Sequence, residues 1–220
     1  MKIDSRMRDI LKNFSTINPS ILFKPGRVLR TTSQLKTILA HANISEDVEG
    51  TFAIHDLNRF LSALSLFDQP EVTIEQTRLS VSEGRQKVNY TFGDPDVIIS
   101  PSSDKKPSMP SIDVSFELSN DTLQQVRRAM GILSTPELAV VGDGNTIALQ
   151  AVDSKKPGSD TFSMDVGTTE HNFKFYFRAD NIKLLPEAYK VELSSKRIAH
   201  FAASDVEYWI AAEAHSTFSE

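Results

Sequence analysis

Ser100-Pro101-Ser102-Ser103-Asp104-Lys105-Lys106-Pro107-Ser108-Met109-Pro110 lies near the midpoint of a 220-residue chain. Three prolines and four serines in eleven residues cannot sustain a helix, and each proline removes a donor that a sheet would use. The stretch predicts a connector over 101–110, with a first domain over 1–100 and a second over 111–220. Each part is close to the commonest domain size of about 100 residues.

Working outward from the connector, both halves read in the same order. Before it come strand-like runs at 72–75 and 87–92, and ahead of these a helix marked by Leu57, Phe60, Leu61 and Leu64. Further back lie strands at 28–32, 38–43 and 51–54, and first of all a helical stripe of Met7, Ile10, Leu11, Phe14 and Ile17, spaced to put five apolar side chains on one face. After the connector, a strand at 112–118 precedes a helix striped by Leu123, Val126, Met130 and Leu133. A hairpin follows at 138–141 and 146–152, around Gly142-Asp143-Gly144-Asn145, residues that tolerate positive φ. Then come a strand at 172–177, a short helical turn over 180–185 stopped by Pro186, and strands at 189–193, 198–203 and 207–212. Phe52-Ala53-Ile54-His55-Asp56 leading into Leu57-Asn58 has a counterpart in Phe175-Tyr176-Phe177-Arg178 leading into Ala179-Asp180-Asn181. The pattern predicts a duplicated α+β unit.

Composition narrows the chemistry. With no cysteine, disulfides, thiolate metal sites and cysteine nucleophiles are excluded. No apolar run approaches the roughly 20 residues of a membrane span, and Met1–Arg6 lacks a secretory apolar stretch, so a soluble, intracellular protein is expected. His41, His55, His171, His200 and His215 have no metal-ligand spacing. The Gly142–Asn145 run reads as a turn rather than a phosphate cradle. Asp94 and Asp96 flank Pro95 as solvated turn residues do. No nucleophile–base set can be named for a hydrolase, and neither enzyme activity nor a cofactor is expected.

The net charge of −5 argues at first against nucleic acid. Its distribution argues the other way. The four helical segments, 1–17, 55–67, 119–134 and 178–187, together carry +3, so the remainder carries −8. Asp4, Asp56, Asp121 and Asp180 fall near helix starts, where carboxylates cap free N–H groups and meet the positive end of the dipole. The bases sit further in. At 100° per residue Arg8, Lys12, Arg59 and Arg128 turn away from their apolar stripes, and Arg127 lies on a flank. Basic helix faces within an acidic body suit a protein that holds DNA by diffuse, sequence-blind phosphate attraction.

The chain resembles the polymerase-processivity sliding clamps of T-even-like bacteriophages. In the first half the matching runs are Leu11-Lys12-Asn13-Phe14 with Thr16-Ile17-Asn18, Ala42-Asn43-Ile44-Ser45, Ala53-Ile54, Asp56-Leu57-Asn58 and Phe60-Leu61. In the second they are Asp121 with Leu123-Gln124-Gln125, Pro186 with Tyr189-Lys190, and Glu213-Ala214 with Ser216-Thr217. Their weight lies in number and collinearity. The chain is somewhat shorter than the family pattern in second-half loops and has few identities from Glu71 to Ser108. The resemblance implies two similar clamp domains per subunit, antiparallel sheets outside and helices lining a homotrimeric ring. It implies a ring that encircles duplex DNA, is opened by an ATP-driven clamp loader and tethers the replicative polymerase, with late transcription as a second use. The expected place of work is the cytoplasm of the infected bacterial host, with no membrane involved.

Arg6, Arg8, Lys12, Arg59, Arg127, Arg128 and Lys183 are the expected phosphate partners. A pocket for the polymerase's C-terminal peptide is expected at Met109, Ile112, Tyr208, Trp209 and, by family position, Leu39, with about half of these in core packing. The competing reading is a structural or adaptor protein of the virion, which needs no basic helical face.

Overall fold

The first apolar stripe folds as helix α1 (Ser5–Ile17) in a computed structural model that describes residues 2–219. Asp4 caps it, a carboxylate oxygen accepting the Met7 N–H at 2.7 Å, and Met7, Ile10, Leu11, Phe14 and Ile17 are all buried. The helix stops where Pro19 follows, Asn18 taking extended backbone as residues before proline do. The buried Asn18 amide donates to the carbonyls of Thr32 and Ile99 at 3.0 and 2.9 Å, tying the helix exit to two distant segments.

By backbone proximity the chain divides into two units, one through Lys106 and the other from Pro107 onward. In the first, α1 leads to strands β1 (Ile21–Phe23), β2 (Gly26–Thr32), β3 (Ile38–Val48) and β4 (Phe52–Ile54). β2 and β3 form a hairpin, and β1 pairs antiparallel with β4, where Phe23 stacks on Phe52 at 4.5 Å. Helix α2 (Leu57–Leu64) follows, capped by Asp56, whose side chain accepts the Arg59 N–H at 2.9 Å. It buries Leu57, Phe60 and Leu64 and packs beside α1. A meander closes the unit: β5 (Glu71–Ile74), β6 (Arg78–Glu83) and β7 (Gln86–Thr91). Ahead of α1, Lys2 bridges antiparallel to Glu71 at the start of β5.

The second unit repeats this plan. β8 (Val114–Leu118) precedes helix α3 (Asn120–Leu133) and pairs with β13 (Tyr189–Ser194), as Lys2 pairs with β5. Before β13 come β9 (Glu137–Asp143), β10 (Thr146–Val152), β11 (Phe162–Thr168) and β12 (Asn172–Arg178). β14 (Ile198–Ala202), β15 (Val206–Ala211) and β16 (Thr217–Ser219) follow it. One sheet runs β11-β10-β9-β12-β16, and β8, β13, β14 and β15 pair successively. Ser119 caps α3 through the Thr122 N–H at 3.1 Å, and Ser134 ends it in the left-handed region at φ 53°. The β9–β10 turn is built by Asp143, whose carboxylate accepts the N–H groups of Asn145 and Thr146, with Gly144 at φ 84°. Gly142 is required for a different reason: a Cβ there would enter the ring of buried Phe173.

One expectation is corrected. The second-half helical turn over 180–185 is only a 3-10 turn, Ala179–Asn181. Ile182, Leu184 and Leu185 are instead drawn into the core. Side chains satisfy the backbone that a helix would have paired: Tyr189 donates to the Leu185 carbonyl at 2.8 Å, and the Leu185 N–H donates to the Tyr208 hydroxyl at 3.3 Å. β1, β6, β11 and β16 also lie outside the expected strands.

Candidate nucleic-acid interface and partner surface

The helices sort the expected cations into two kinds. α1 and α3 bury residues with the same spacing, Met7-Ile10-Phe14 and Leu123-Val126-Met130, which makes Lys12 and Arg128 equivalent positions. Both are exposed, as is Arg59 on α2. Arg6 and Lys183 are half-buried.

Arg8 and Arg127, both half-buried, are held by backbone carbonyls. Arg8 donates to the carbonyls of Ile3, Leu64, Phe67 and Asp68 at 3.3–3.4 Å, so it fastens the start of α1 to the chain leaving α2. Arg127 donates to the carbonyls of Ile182 and Leu184 at 2.9 and 2.8 Å. Burial pulls its pKa down from the ordinary value. Each unit thus uses one arginine of its first helix to supply donors to backbone carbonyls of a segment folded against it. Helical periodicity placed both side chains off the stripe; it could not reveal that a loop returns over that flank.

The partner set also divides. Ile112 is 57% exposed, and Leu39 and Met109 are half-buried. Tyr208 and Trp209 are core residues, so their expected place in an exposed pocket is corrected. Tyr208 packs edge-on against Tyr189 at 6.1 Å, and burial pushes the Tyr189 hydroxyl's pKa up. Trp209 stacks on His200 at 4.7 Å, with the His200 ring nitrogens 3.1 and 2.7 Å from Glu192 and Glu207. Alternation puts Tyr208 and Trp209 on opposite faces of β15, and the His200 ring covers Trp209 on a face where Glu207 and Ala211 stay half-buried.

One feature went unread in the sequence: an apolar groove of about 330 Å³ beside α3, lined by Gln125, Arg128, Ala129, Ile132, Leu133 and Phe162. Ile132 is 75% exposed. The available signal was its phase, 200° from Met130 on a helix. Phe162 begins β11, and among the described residues β11 pairs only with β10 and β7 only with β6, leaving an open edge in each unit.

Two family models match the chain in succession, that of the DNA polymerase processivity factor over residues 5–100 and that of the gp45 sliding clamp, C terminal, over residues 115–214. The sliding clamp of Vibrio phage KVP40 is 30% identical over 220 residues, covering 97% of this chain and 100% of that protein. The sliding clamp of Escherichia phage RB69 is 31% identical over 227 residues, covering 99% of each. Among solved structures, the C-terminal region of FEN-1 bound to A. fulgidus PCNA contains a chain that matches with a TM-score of 0.70. That match has 14% identity and covers 97% of this chain and 96% of that one, a likeness of fold.

Proposed function

This chain belongs to the phage sliding clamps, non-catalytic factors that confer processivity on DNA polymerase, and from that premise we propose how its residues do the work. Lys12, Arg59 and Arg128, with the half-buried Arg6 and Lys183, attract the phosphates of duplex DNA without reading sequence. The observation that carries this is the recurrence of an exposed cation at one position of the duplicated helix, Lys12 in α1 and Arg128 in α3. Asp4 and Asp56 are engaged as caps, so they weaken this face less than their charge alone suggests.

Three subunits close into the ring. An open edge in each unit, β7 and β11, supports a head-to-tail contact in which one copy's β7 extends the next copy's β11 sheet. Such heterologous contacts form rings when the rotation closes, and they remove edges that would otherwise invite aggregation. Ile132 and Phe162 beside β11 supply apolar surface for the same contact. The replicative polymerase docks by its C-terminal peptide at Leu39, Met109 and Ile112, Met being suited to a surface that accepts several partners. A clamp loader opens the ring, the clamp also supports late transcription, and all of this takes place in the cytoplasm of the infected bacterial host.

The test is the double charge reversal Lys12→Glu with Arg128→Glu. A normal oligomer with processive synthesis lost at moderate salt is the expected result. Unchanged processivity across a salt series would remove the assignment of this face.

A further inference from the structure

Each unit leaves its last three strands in the same way. After β7 the Gly93 N–H donates to the Ala53 carbonyl at 2.8 Å, and after β15 the Glu213 N–H donates to the Tyr176 carbonyl at 2.7 Å. Ala53 and Tyr176 are the middle residues of the matching triplets in β4 and β12. The paths then diverge. In the first unit the chain passes through a 3-10 turn, Pro95–Val97, towards the connector. In the second it turns back along β12 and pairs with it as β16, Asn172 opposite Ser219, Phe173 opposite Phe218 and Lys174 opposite Thr217.

This returning segment has two parts of unequal hold. Residues 213–216 are a buckle. The Ser216 hydroxyl accepts the Tyr176 N–H at 3.0 Å, and Arg197 donates to the Ala214 carbonyl at 2.8 Å. The His215 ring lies 4.5 Å from that of Tyr176, with Nε2 3.5 Å from the Glu137 carboxylate. Residues 217–219 form only the tip. Thr217 and Ser219 are exposed, and the anchor is Phe218, 5.2 Å from the ring of His171 and 6.3 Å from those of Phe173 and Phe175. A three-residue edge strand is at the short limit of stable strands, and its departure would bare the backbone groups of β12 as an open edge.

We propose that the β12 edge at Asn172–Lys174 is a docking site for an extended partner segment carrying an aromatic residue, with Thr217-Phe218-Ser219 occupying it in cis until displaced. Main-chain pairing supplies affinity in such strand addition, and the side-chain seat supplies selectivity. The cis occupant defines the partner: antiparallel to β12, with its aromatic ring opposite Phe173. This site is separate from the connector surface at Met109 and Ile112.

The probe is a fluorescein-labelled peptide of residues 213–219, Glu-Ala-His-Ser-Thr-Phe-Ser, titrated by anisotropy against the whole chain and against a form ending at Ala212. It should bind the shortened form and bind the whole chain roughly tenfold more weakly, and alanine in place of its Phe should cost a similar factor, as expected for one buried aromatic contact. Equal binding to both forms, or none to a shortened form that keeps the native circular dichroism and melting, overturns the proposal. If the shortened form does not fold, Phe218→Ala in the whole chain takes its place. Faster amide exchange at Asn172–Lys174 is then expected, and unchanged exchange overturns the proposal. No DNA or polymerase enters the assay, so its failure leaves the clamp reading untouched.

Discussion

Two arginines that look alike in sequence are predicted to differ in cost. Arg127 makes two short bonds to carbonyls and is half-buried, whereas the four bonds of Arg8 are all near the distance limit. Hydrogen bonds from charged donors contribute about 1.5–3 kcal/mol when part-buried. Arg127→Ala should therefore cost roughly 2–3 kcal/mol in urea unfolding and Arg8→Ala about 1–2 kcal/mol, while Lys12→Ala stays near zero. Equal losses at Lys12 and Arg127 would contradict the division into surface and structural cations. A further residue-scale effect is acid sensitivity. The Ser195 N–H at 2.6 Å, with the Ser111 hydroxyl at 2.7 Å, holds the Asp113 carboxyl below its ordinary pKa. A lowered folded-state pKa means that this contribution is present above the unfolded carboxylate value and is lost as pH falls through the folded one. Asp113→Asn should accordingly flatten the acid end of a pH-melting curve and leave the shape near pH 7 unchanged. An acid limb as steep as the parent's would count against that role.

At the scale of elements, the open edge of β11 and the groove beside α3 carry the assembly prediction. Ile132→Asp places a charge where Ile132 is 75% exposed in the single chain, so folding should be kept while association fails. Light scattering should then report 24.5 kDa in place of three times that mass. A trimer of undiminished stability would exclude this groove from the subunit contact. The helices show how far elements were legible. α1 and α2 were readable because a one-sided stripe and a capping aspartate agree at each, and α3 by its stripe, its cap being Ser119 rather than Asp121. The turn at 180–185 was misread because its apolar residues suit a helix equally well, while their backbone is satisfied by Tyr208 and Arg127 from far along the chain and by Tyr189 just after the turn. β16 has three residues, and β6 buries Ser80 among its apolar neighbours, so neither offers the alternation that marks a strand. Trp209 was misplaced for the related reason that the His200 ring from the neighbouring strand covers it, while Tyr208 faces the core.

For the whole molecule, the duplicated order of helix and strands was visible in the chain, because it rests on periodicity, as was the exposure of Lys12, Arg59 and Arg128. The open edges of β7 and β11 were not, since edges exist only once strands have paired. Diffuse phosphate attraction is salt-sensitive, but a closed ring on a closed DNA has no end from which to leave. The most direct measurement loads the clamp with its loader and ATP onto nicked circular duplex, raises the salt, and then cuts the circle once. Retention on the circle at salt that abolishes simple binding, followed by rapid loss on linearisation, is the predicted result. Equal rates of loss from circular and linear DNA would contradict encirclement.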